Sequence, residues 1–557
     1  MALFLTAVVL ALAVIPLVYV FDAQFYKETR VGLSEERSLD AVKAVYASAQ
    51  YLGYLANALI LAALVTALSL VVGVVLALLV ARTDLSHKSL WDTMITLPLY
   101  LSPFTGLMAW ITLGSEKTGF INHFLRKILG VFIANPKPLV NIWSYGGVVF
   151  IMFLFFCPFV YLFTVGSLRS MNTSLEEAAR MSGATAITGL RKITLPMCLP
   201  AILASGLLVF VLSVEMYTVP GIIGATVGFT TLPWKIFEDS TAIPVHRAHA
   251  AAGGCLLLFV TIAGVWLQNR LTHVSSRFVT VGGKGFQGRP IALGKYSWLA
   301  VGIIFLYVLL ADILPFGALL IASFMRFSAS MITPELFTTK HYVAFFTTQN
   351  MMAALWNTIF LAVLTGIICV LLGFVISLMD LRRPSPVTKS IAFLSILPVA
   401  VPGLVYGLGL LWTYLQTPLY GTIWILLLAH VAKMLPYGVI VSRSGLLQLH
   451  PELEESARMC GATPTRAIAS ITAPLIKPTL IAILFFVMLN SIKELSASIL
   501  LYSSNSHILS VLTWHYMDNG DYQYAAAIGI IQTAIMIGIV LITRMLFRAR
   551  LEAAFGQ

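Results

Sequence analysis

The chain has 557 residues, of which 59% are hydrophobic and only 10% are charged, and its formal net charge is +12. A soluble domain carries roughly 25% charged residues, so this composition excludes a water-soluble protein and predicts one that lies in a lipid bilayer. Basic loops on one side of a membrane explain the positive charge, and no nucleic-acid partner is expected.

Apolar runs of about 20 residues predict the membrane-spanning helices of the chain. There are twelve such runs, six in each half, and they predict an all-α polytopic membrane protein. The first run lacks the basic start and the small-residue cleavage site of a signal peptide, so we expect it to be retained. The predicted spans lie near residues 3–20, 52–81, 90–113, 143–167, 196–218, 249–268, 297–322, 353–379, 390–414, 421–442, 474–500 and 524–543.

The distribution of basic residues predicts the orientation of the chain. Twelve spans place both termini on the same side of the membrane. Lys and Arg are more frequent in the segments that are cytoplasmic if the N-terminus is, so both termini are predicted to be cytoplasmic. The polar, basic and glycine-rich segment 269–296 then becomes a cytoplasmic linker between a first half, residues 1–268, and a second half, residues 297–557.

The two halves contain an internal repeat. The decamer EEAARMSGAT begins at Glu176 and EESARMCGAT begins at Glu454, so eight of ten positions are identical at an offset of 278. Asn57 and Asn357 lie in similar apolar runs at an offset of 300, so the first half has 22 extra residues between the two landmarks. We expect them near residues 114–140, with an interfacial helix around Ile121–Phe132. Two copies in the same direction predict six-helix halves related by a pseudo-two-fold axis along the membrane normal.

Each decamer predicts a short cytoplasmic helix that ends at a glycine. Acidic residues follow the helix start, and Gly183 and Gly461 supply the residue that commonly ends a helix. The two polar loops, residues 172–193 and 450–471, either fold against their own membrane helices or dock onto a partner that is present twice. Their duplication in a diverged chain favours a repeated partner.

The first polar loop resembles the cytoplasmic signature of permease subunits in binding-protein-dependent ABC importers. Glu177-Ala178-Ala179, Gly183, Ile193 and Leu195-Pro196 match that signature, whereas the second loop departs from it at Ser456 and Ala473. The resemblance covers most of both halves and implies a fused pair of permeases in a bacterial inner membrane. The residues that it assigns to ATPase coupling are Glu176, Glu177, Ala178, Ala179, Arg180, Gly183, Glu454, Glu455, Ser456, Ala457, Arg458 and Gly461.

The same resemblance implies partners and excludes an enzyme. Each polar loop would dock as a coupling helix into one of two ATPase subunits, which hold ATP and Mg, and an external binding protein would deliver the solute. The chain has no GxxxxGK[ST] phosphate loop and no catalytic motif, so we expect no cofactor on it and no ATP hydrolysis by it. No metal site is predicted either, because His246 and His249 have their nearest preceding carboxylates at Glu238 and Asp239.

Fused permeases of this length most closely resemble those for ferric iron. SIKELSAS, which begins at Ser491, and DYQYAAA, which begins at Asp521, carry that resemblance. Thiamine, phosphonate, sugar phosphate and polyamine remain alternative solutes, and an ion-coupled secondary transporter is an alternative class. Glu215, Lys493 and Glu494 lie within predicted spans, where charge is costly. They either line the translocation path or lie near the interface, where they are paired or solvated.

Overall fold

Helices make up most of the chain, as the apolar runs predict. A computed structural model describes residues 2–29, 32–129, 138–171, 174–275, 290–329 and 333–555. Within these ranges, a two-stranded antiparallel sheet of β1 (Tyr26–Thr29) and β2 (Gly32–Arg37) is a small departure from the all-α prediction. The linker was predicted at 269–296, and its residues 276–289 lie outside the described ranges.

The long helices of the first half follow the predicted spans. They are α1 (Leu3–Ala23), α2 (Ala49–Arg82), α3 (Lys88–Tyr100 and then Pro103–Gly114), α4 (Tyr145–Ser170), α5 (Ile187–Glu215) and α6 (Arg247–Ser275). Shorter helices lie between them at Asp40–Tyr46, Phe120–Leu129, Ser174–Met181 and Leu232–Thr241. The helix Phe120–Leu129 lies where an interfacial helix was predicted, although residues 130–132 of that prediction are outside the described ranges.

The second half repeats this order. Its long helices are α7 (Gly294–Phe324), α8 (Gln349–Arg382), α9 (Pro386–Ala400 and then Gly403–Tyr414), α10 (Ile423–Leu447), α11 (Pro464–Ile492) and α12 (Tyr522–Phe555). Its shorter helices are Pro334–Leu336, Lys340–Thr347, Glu452–Met459, Ser498–Leu501 and Leu509–Asp518. Both α2 and α8 have 34 residues, at an offset of 300.

Two of the twelve predicted spans are sharply bent. In the described residues, ten helices are long and apolar enough to cross a membrane, whereas α3 and α9 bend by 98° and 115°. Each bend has a proline: Ser102 precedes Pro103 with ψ 135°, and Val401 precedes Pro402 with ψ 120°. Proline disfavours helical geometry in the residue before it, so the helix breaks at this point.

Contacts with α4 show that α3 still runs between the two ends of its neighbour. Asp92, near the start of α3, forms an ion pair of 3.1 Å with Arg169 at the C-terminal end of α4. At its other end, the carbonyl of Gly114 accepts a hydrogen bond of 3.0 Å from the amide of Ile142, three residues before α4 begins. The bent pair therefore passes from one side to the other, which agrees with twelve spans.

Hydrogen bonds repeat with the sequence. The side-chain amide of Asn57 in α2 donates to the carbonyl of Thr230 at 2.9 Å, just before the helix Leu232–Thr241. Asn357 in α8 donates likewise to His507 at 3.0 Å, just before the helix Leu509–Asp518. The same polar residue thus fixes the same pair of elements in both halves, as the internal repeat predicts.

Packing divides the chain into two compact units, and each unit draws on both halves of the sequence. One comprises Met1–Val42, Ser240–Cys255 and Thr339–Gln557, and the other comprises Lys43–Asp239 and Leu256–Thr338. In the one unit, the hydroxyl of Tyr414 donates to the carbonyl of Ala11 at 3.1 Å. In the other, the hydroxyl of Tyr307 donates to the carbonyl of Leu154 at 3.1 Å.

The first helix of each half therefore packs against helices of the other half: α1 against α9, and α7 against α3 and α4. The boundaries predicted at residues 268 and 297 separate two halves of similar sequence, which is a different division from the one by packing. They stay a prediction.

Candidate functional site

Each polar loop is a short helix that a glycine ends. The helices Ser174–Met181 and Glu452–Met459 are followed by Gly183 with φ +83° and Gly461 with φ +88°. Ala184 and Ala462 then donate their amides back to Ala179 and Ala457 at 2.9 and 3.0 Å. Glycine adopts this left-handed conformation without a steric penalty, so the predicted helix stop is confirmed in both loops.

A second short helix begins directly after each glycine and continues into a membrane helix. The hydroxyl oxygens of Thr185 and Thr463 accept the amides of Thr188 and Arg466, both at 3.3 Å, and so cap the new helix. Both copies then contain a wide helical turn, at Leu190–Thr194 and Ile468–Thr472. The two loops therefore share their backbone course, down to the same local irregularity.

A partly buried polar triad ties each short helix to its own membrane helices. In the first loop, Oε1 of Glu176 lies 3.5 Å from Nη2 of Arg82, the last residue of α2, and accepts the Thr194 hydroxyl at 2.6 Å. In the second, Oε1 of Glu454 accepts Arg382 Nε at 3.0 Å and the Thr472 hydroxyl at 2.8 Å. We call these two sets of residues the anchor triads. Hydrogen bonds to a charged group stabilise by about 1.5–3 kcal/mol, so each triad fixes its loop firmly.

The opposite side of each short helix faces outward and is partly apolar. Met181 and Met459 are 89% and 88% exposed, and Ile187 is 77% exposed. Methionine is a flexible, polarisable side chain that is common on surfaces that bind other proteins. Together with the anchor triads, these residues give each loop one side tied to the bundle and one side open to a partner.

The twelve residues predicted for coupling divide between these two sides. Glu176 and Glu454 face inward in the anchor triads, and Glu177, Ala179 and Ala457 are half-buried. The exposed residues are Ala178, Gly183, Glu455, Ser456, Arg458 and Gly461, and the side chain of Arg180 lies outside the described part of the chain. The role of all twelve in coupling stays a prediction.

Glu494 forms a buried ion pair with Lys433. One oxygen of Glu494 lies 2.8 Å from Nζ of Lys433 in α10, and the other accepts the Ala497 amide at 3.1 Å. Only 7% of Glu494 is exposed. A Cβ on Gly403 would lie 2.5 Å from Nζ of Lys433, so the glycine that starts the second part of α9 leaves room for this pair.

His430 extends this polar cluster by one helical turn. Its two ring nitrogens lie 2.6 Å from the hydroxyl of Ser491 and 2.9 Å from that of Ser498, and all three residues are buried. Sequence reasoning missed His430. The signal in the sequence was a histidine three residues before Lys433, together with the polar residues of SIKELSAS. These two segments are distant in sequence and meet only when the helices pack.

The other two candidates for the translocation path lie at helix ends. Glu215 is the last residue of α5, and Lys493 directly follows α11, so the offset of 278 holds at this end as well. Both are half-buried. Whether they line a path stays a prediction.

His246 and His249 lie beside a carboxylate that is distant in sequence. Both Nδ1 atoms contact Oε2 of Glu28 in β1, at 3.1 and 3.0 Å, and Oε1 of Glu28 accepts the amide of His249 at 3.0 Å. Burial raises the pKa of Glu28, but the hydrogen bonds from the two histidines outweigh it and lower the pKa to about 2. Glu28 is therefore ionised at neutral pH, and the two histidines have an acidic neighbour that the sequence did not reveal.

The fold and its paired polar loops define a membrane permease whose two sequence halves are copies of one another. The family model described as "Binding-protein-dependent transport system inner membrane component" matches residues 69–273 and 369–553, and the chain belongs to this family. It is the permease subunit of an ABC importer, as its signature residues predict, and a multi-pass component of the inner membrane.

Several curated proteins are similar over most of their length. The chain is 26% identical over 551 residues to the ferric transport system permease protein FbpB of Actinobacillus pleuropneumoniae, covering 95% of this chain and 75% of that one. It is 25% identical over 475 residues to the Fe(3+)-transport system permease protein FbpB 2 of Haemophilus influenzae, covering 85% of each. A protein named as a candidate permease of a 2-aminoethylphosphonate transport system, from Salmonella paratyphi A, is 28% identical over 230 residues, which is 40% of this chain and 84% of that protein.

Proposed function

We propose that this chain carries ferric iron inward across a bacterial cytoplasmic membrane, after an external binding protein has delivered it. The observation that carries this proposal is the similarity to a ferric transport permease over 95% of the chain. The similarity to the 2-aminoethylphosphonate system covers 40% of the chain and makes that solute the second candidate. Thiamine, sugar phosphate and polyamine stay alternative solutes.

Two ATPase subunits would drive transport, one at each polar loop. Each loop offers an exposed methionine, Met181 or Met459, on a helix whose other side is held by an anchor triad. A partner that grips this exposed side would pull directly on α2 and α5, or on α8 and α11, because the triad residues belong to those helices. ATP and Mg would be held by the ATPase subunits, and this chain would carry no cofactor for hydrolysis.

This arrangement requires both polar loops and both termini to face the cytoplasm. Several arginines lie at the helix ends near the polar loops, as expected from the excess of basic residues on the cytoplasmic side. They are Arg82, Arg169, Arg191, Arg382 and Arg443. The opposite helix ends would face the binding protein.

Transport would proceed by alternating access. ATP binding would draw the two ATPase subunits together, each would move one polar loop, and the permease would open toward the binding protein. ATP hydrolysis would return it to the inward-open state. The charges of Lys433 and Glu494 neutralise each other in a region where an isolated charge would be costly, and whether Glu494 also lines the translocation path stays a prediction.

Reconstituted vesicles test this function. The chain is reconstituted with its proposed ATPase and supplied with its binding protein on the outer side. Uptake of radiolabelled ferric iron is then compared with uptake of 2-aminoethylphosphonate. We expect iron uptake that requires ATP and the binding protein and that does not respond to a proton or sodium gradient. Uptake of the phosphonate alone would replace the proposed solute, and uptake by the chain alone, driven by an ion gradient, would overturn the ATP-driven mechanism.

A further inference from the structure

Glu28, His246 and His249 form a cluster that neither the transport cycle nor the sequence pattern explains. Their ligand atoms all lie within 4.8 Å of one another. We propose that these three residues bind a divalent first-row transition metal ion such as zinc. The ion would be a resident of this chain rather than its transported solute, and the proposal does not depend on which solute is carried.

The spacing of the ligand atoms suits such an ion. Oε2 of Glu28 lies 3.1 Å from Nδ1 of His246 and 3.0 Å from Nδ1 of His249. Metal–ligand bonds of about 2.1 Å place neighbouring ligands about 3.0 Å apart in an octahedral site and about 3.4 Å apart in a tetrahedral one. The two distances from the carboxylate oxygen therefore already match those between neighbouring ligands of one ion, and the two imidazoles lie within 4.8 Å of each other.

The ligand types select the class of metal. Imidazole nitrogen favours zinc, copper, iron and nickel over magnesium and calcium, which prefer oxygen. Two histidines and one carboxylate occur both in zinc sites with an open position and in non-haem iron(II) sites. The side chain of His246 is 47% exposed, so solvent can reach the cluster and supply a further ligand.

The backbone holds the carboxylate in place for this role. Oε1 of Glu28 accepts the amide of His249 in the first turn of α6, which leaves Oε2 directed at both imidazoles. A metal ion would take the place of the direct contacts between Oε2 and the two ring nitrogens.

The site lies at the end of α6 that is distant from the polar loops. α5 begins at the first polar loop and ends at Glu215, and the chain reaches the start of α6 from that far end of α5. A bound ion would join β1, and through it the end of α1, to the start of α6. It would fix two helix ends on the side that is proposed to face the binding protein.

Metal binding to the purified chain tests the site. The full chain is prepared without a histidine tag, stripped with a chelator, and titrated with Zn²⁺ by calorimetry and with Co²⁺ by visible absorption. We expect one ion per chain and Co²⁺ bands typical of nitrogen and oxygen ligands. Glu28→Gln and His246→Ala should each weaken binding by at least about tenfold.

One control variant and a folding check make the result decisive. His515→Ala removes an exposed histidine outside the cluster and should leave binding unchanged. His246→Ala keeps the hydrogen bond between Glu28 and the His249 amide, so its fold is expected to match the wild type in size-exclusion profile and thermal unfolding. The proposal would be overturned if the wild type bound no ion, or if the Glu28→Gln and His246→Ala variants bound the ion as tightly as the wild type does. The cluster would then be an ion pair that also caps the start of α6.

Discussion

Gly183 and Gly461 are required by backbone conformation alone. Among the described residues, no atom lies within 4 Å of the position that a Cβ would take at either glycine. Their φ angles of +83° and +88° are unfavourable for any residue with a side chain, by roughly 1–2 kcal/mol. Substitution therefore disturbs the turn between the two short helices without creating a clash.

We accordingly expect Gly183→Ala combined with Gly461→Ala to lower the rate of solute uptake while membrane insertion remains normal. The change in backbone preference would tilt each short helix away from the partner that is proposed to bind it. Uptake in reconstituted vesicles and the amount of inserted protein are measured side by side. Gly538→Ala is the control, since Gly538 lies inside α12, its φ is not positive and its Cβ position is open. Wild-type uptake by the double variant would contradict the coupling role.

The buried pair of Lys433 and Glu494 gives a prediction about stability. Glu494→Gln leaves the ammonium group of Lys433 without its strongest partner, and breaking a buried pair on one side costs about 3–5 kcal/mol. Adding Lys433→Met should restore much of this loss. Thermal unfolding in detergent of the wild type, the two single variants and the double variant measures the coupling. If the stability losses of the two single variants simply added in the double variant, the result would argue against a direct ion pair.

Residue roles that depend on local chemistry could be read from the sequence, whereas pairings across the fold could not. The glycines that end the short helices follow from turn chemistry within ten residues. Glu28 lies 218 residues before His246, and a strand and a helix start bring them together. Likewise, hydropathy places Lys433 in a span but does not reveal that the same helix face meets Glu494. The sequence consequently revealed neither pairing.

At the scale of elements, the close approach of α8 and α10 depends on two glycines. A Cβ on Gly373 would lie 2.4 Å from the carbonyl carbon of Gly438, and a Cβ on Gly438 would lie 2.5 Å from the carbonyl oxygen of Cys369. In membranes, small residues allow helix backbones to pack tightly where lipid offers no hydrophobic driving force. The equivalent position in the first half is Gly73, which packs against Val160 in α4.

Gly438→Val should therefore separate α8 from α10 and destabilise the fold by at least about 3 kcal/mol, the upper range for overpacking. The obstacle is backbone, which cannot move aside as a side chain can. Gly538→Val adds the same side chain at an open position and should have little effect. The melting temperature and the yield of monodisperse protein report the difference. Equal behaviour of the two variants would show that the helices can part without cost.

The existence of the helices was predicted better than their shape. A run of apolar residues gives the length of a span, and the offset of 300 correctly placed α2 and α8. The bends in α3 and α9 were missed, although Pro103 and Pro402 mark them, because hydropathy averages over the break. The hairpin of β1 and β2 was also missed, since its strands are short and polar and are fixed only by their mutual pairing.

At the scale of the whole molecule, cysteine exposure offers a test of orientation. All five cysteines are described; Cys157, Cys198, Cys255 and Cys369 are buried, and Cys460 is exposed at the end of the second polar helix. A membrane-impermeant maleimide should label Cys460 in inside-out vesicles and not in intact cells. A bound ATPase should slow the labelling, since it would cover this helix. Cys460→Ser is the control that assigns the signal, and labelling in intact cells would reverse the proposed topology.

The repeat predicted two like halves but not how their helices are distributed. In lipid, one apolar helix surface resembles another, so hydropathy does not specify which helices become neighbours. The contacts of Tyr414 with Ala11 and of Tyr307 with Leu154 reveal that α1 and α7 are exchanged between the halves: each packs against helices of the other half. Small residues and single hydrogen bonds make this choice, and they stand out only when both partners are known.

The exchange of α1 and α7 also sets the order in which a ribosome can complete this protein. Ala11 meets its partner Tyr414 only after another 403 residues have been made. Leu154 likewise waits 153 residues for Tyr307. Neither compact unit can be finished by its own half of the gene, so a fragment that stops in the linker lacks α7 and leaves α1 without α9. The nascent chain must therefore hold several helices in the bilayer with incomplete packing until the second half arrives.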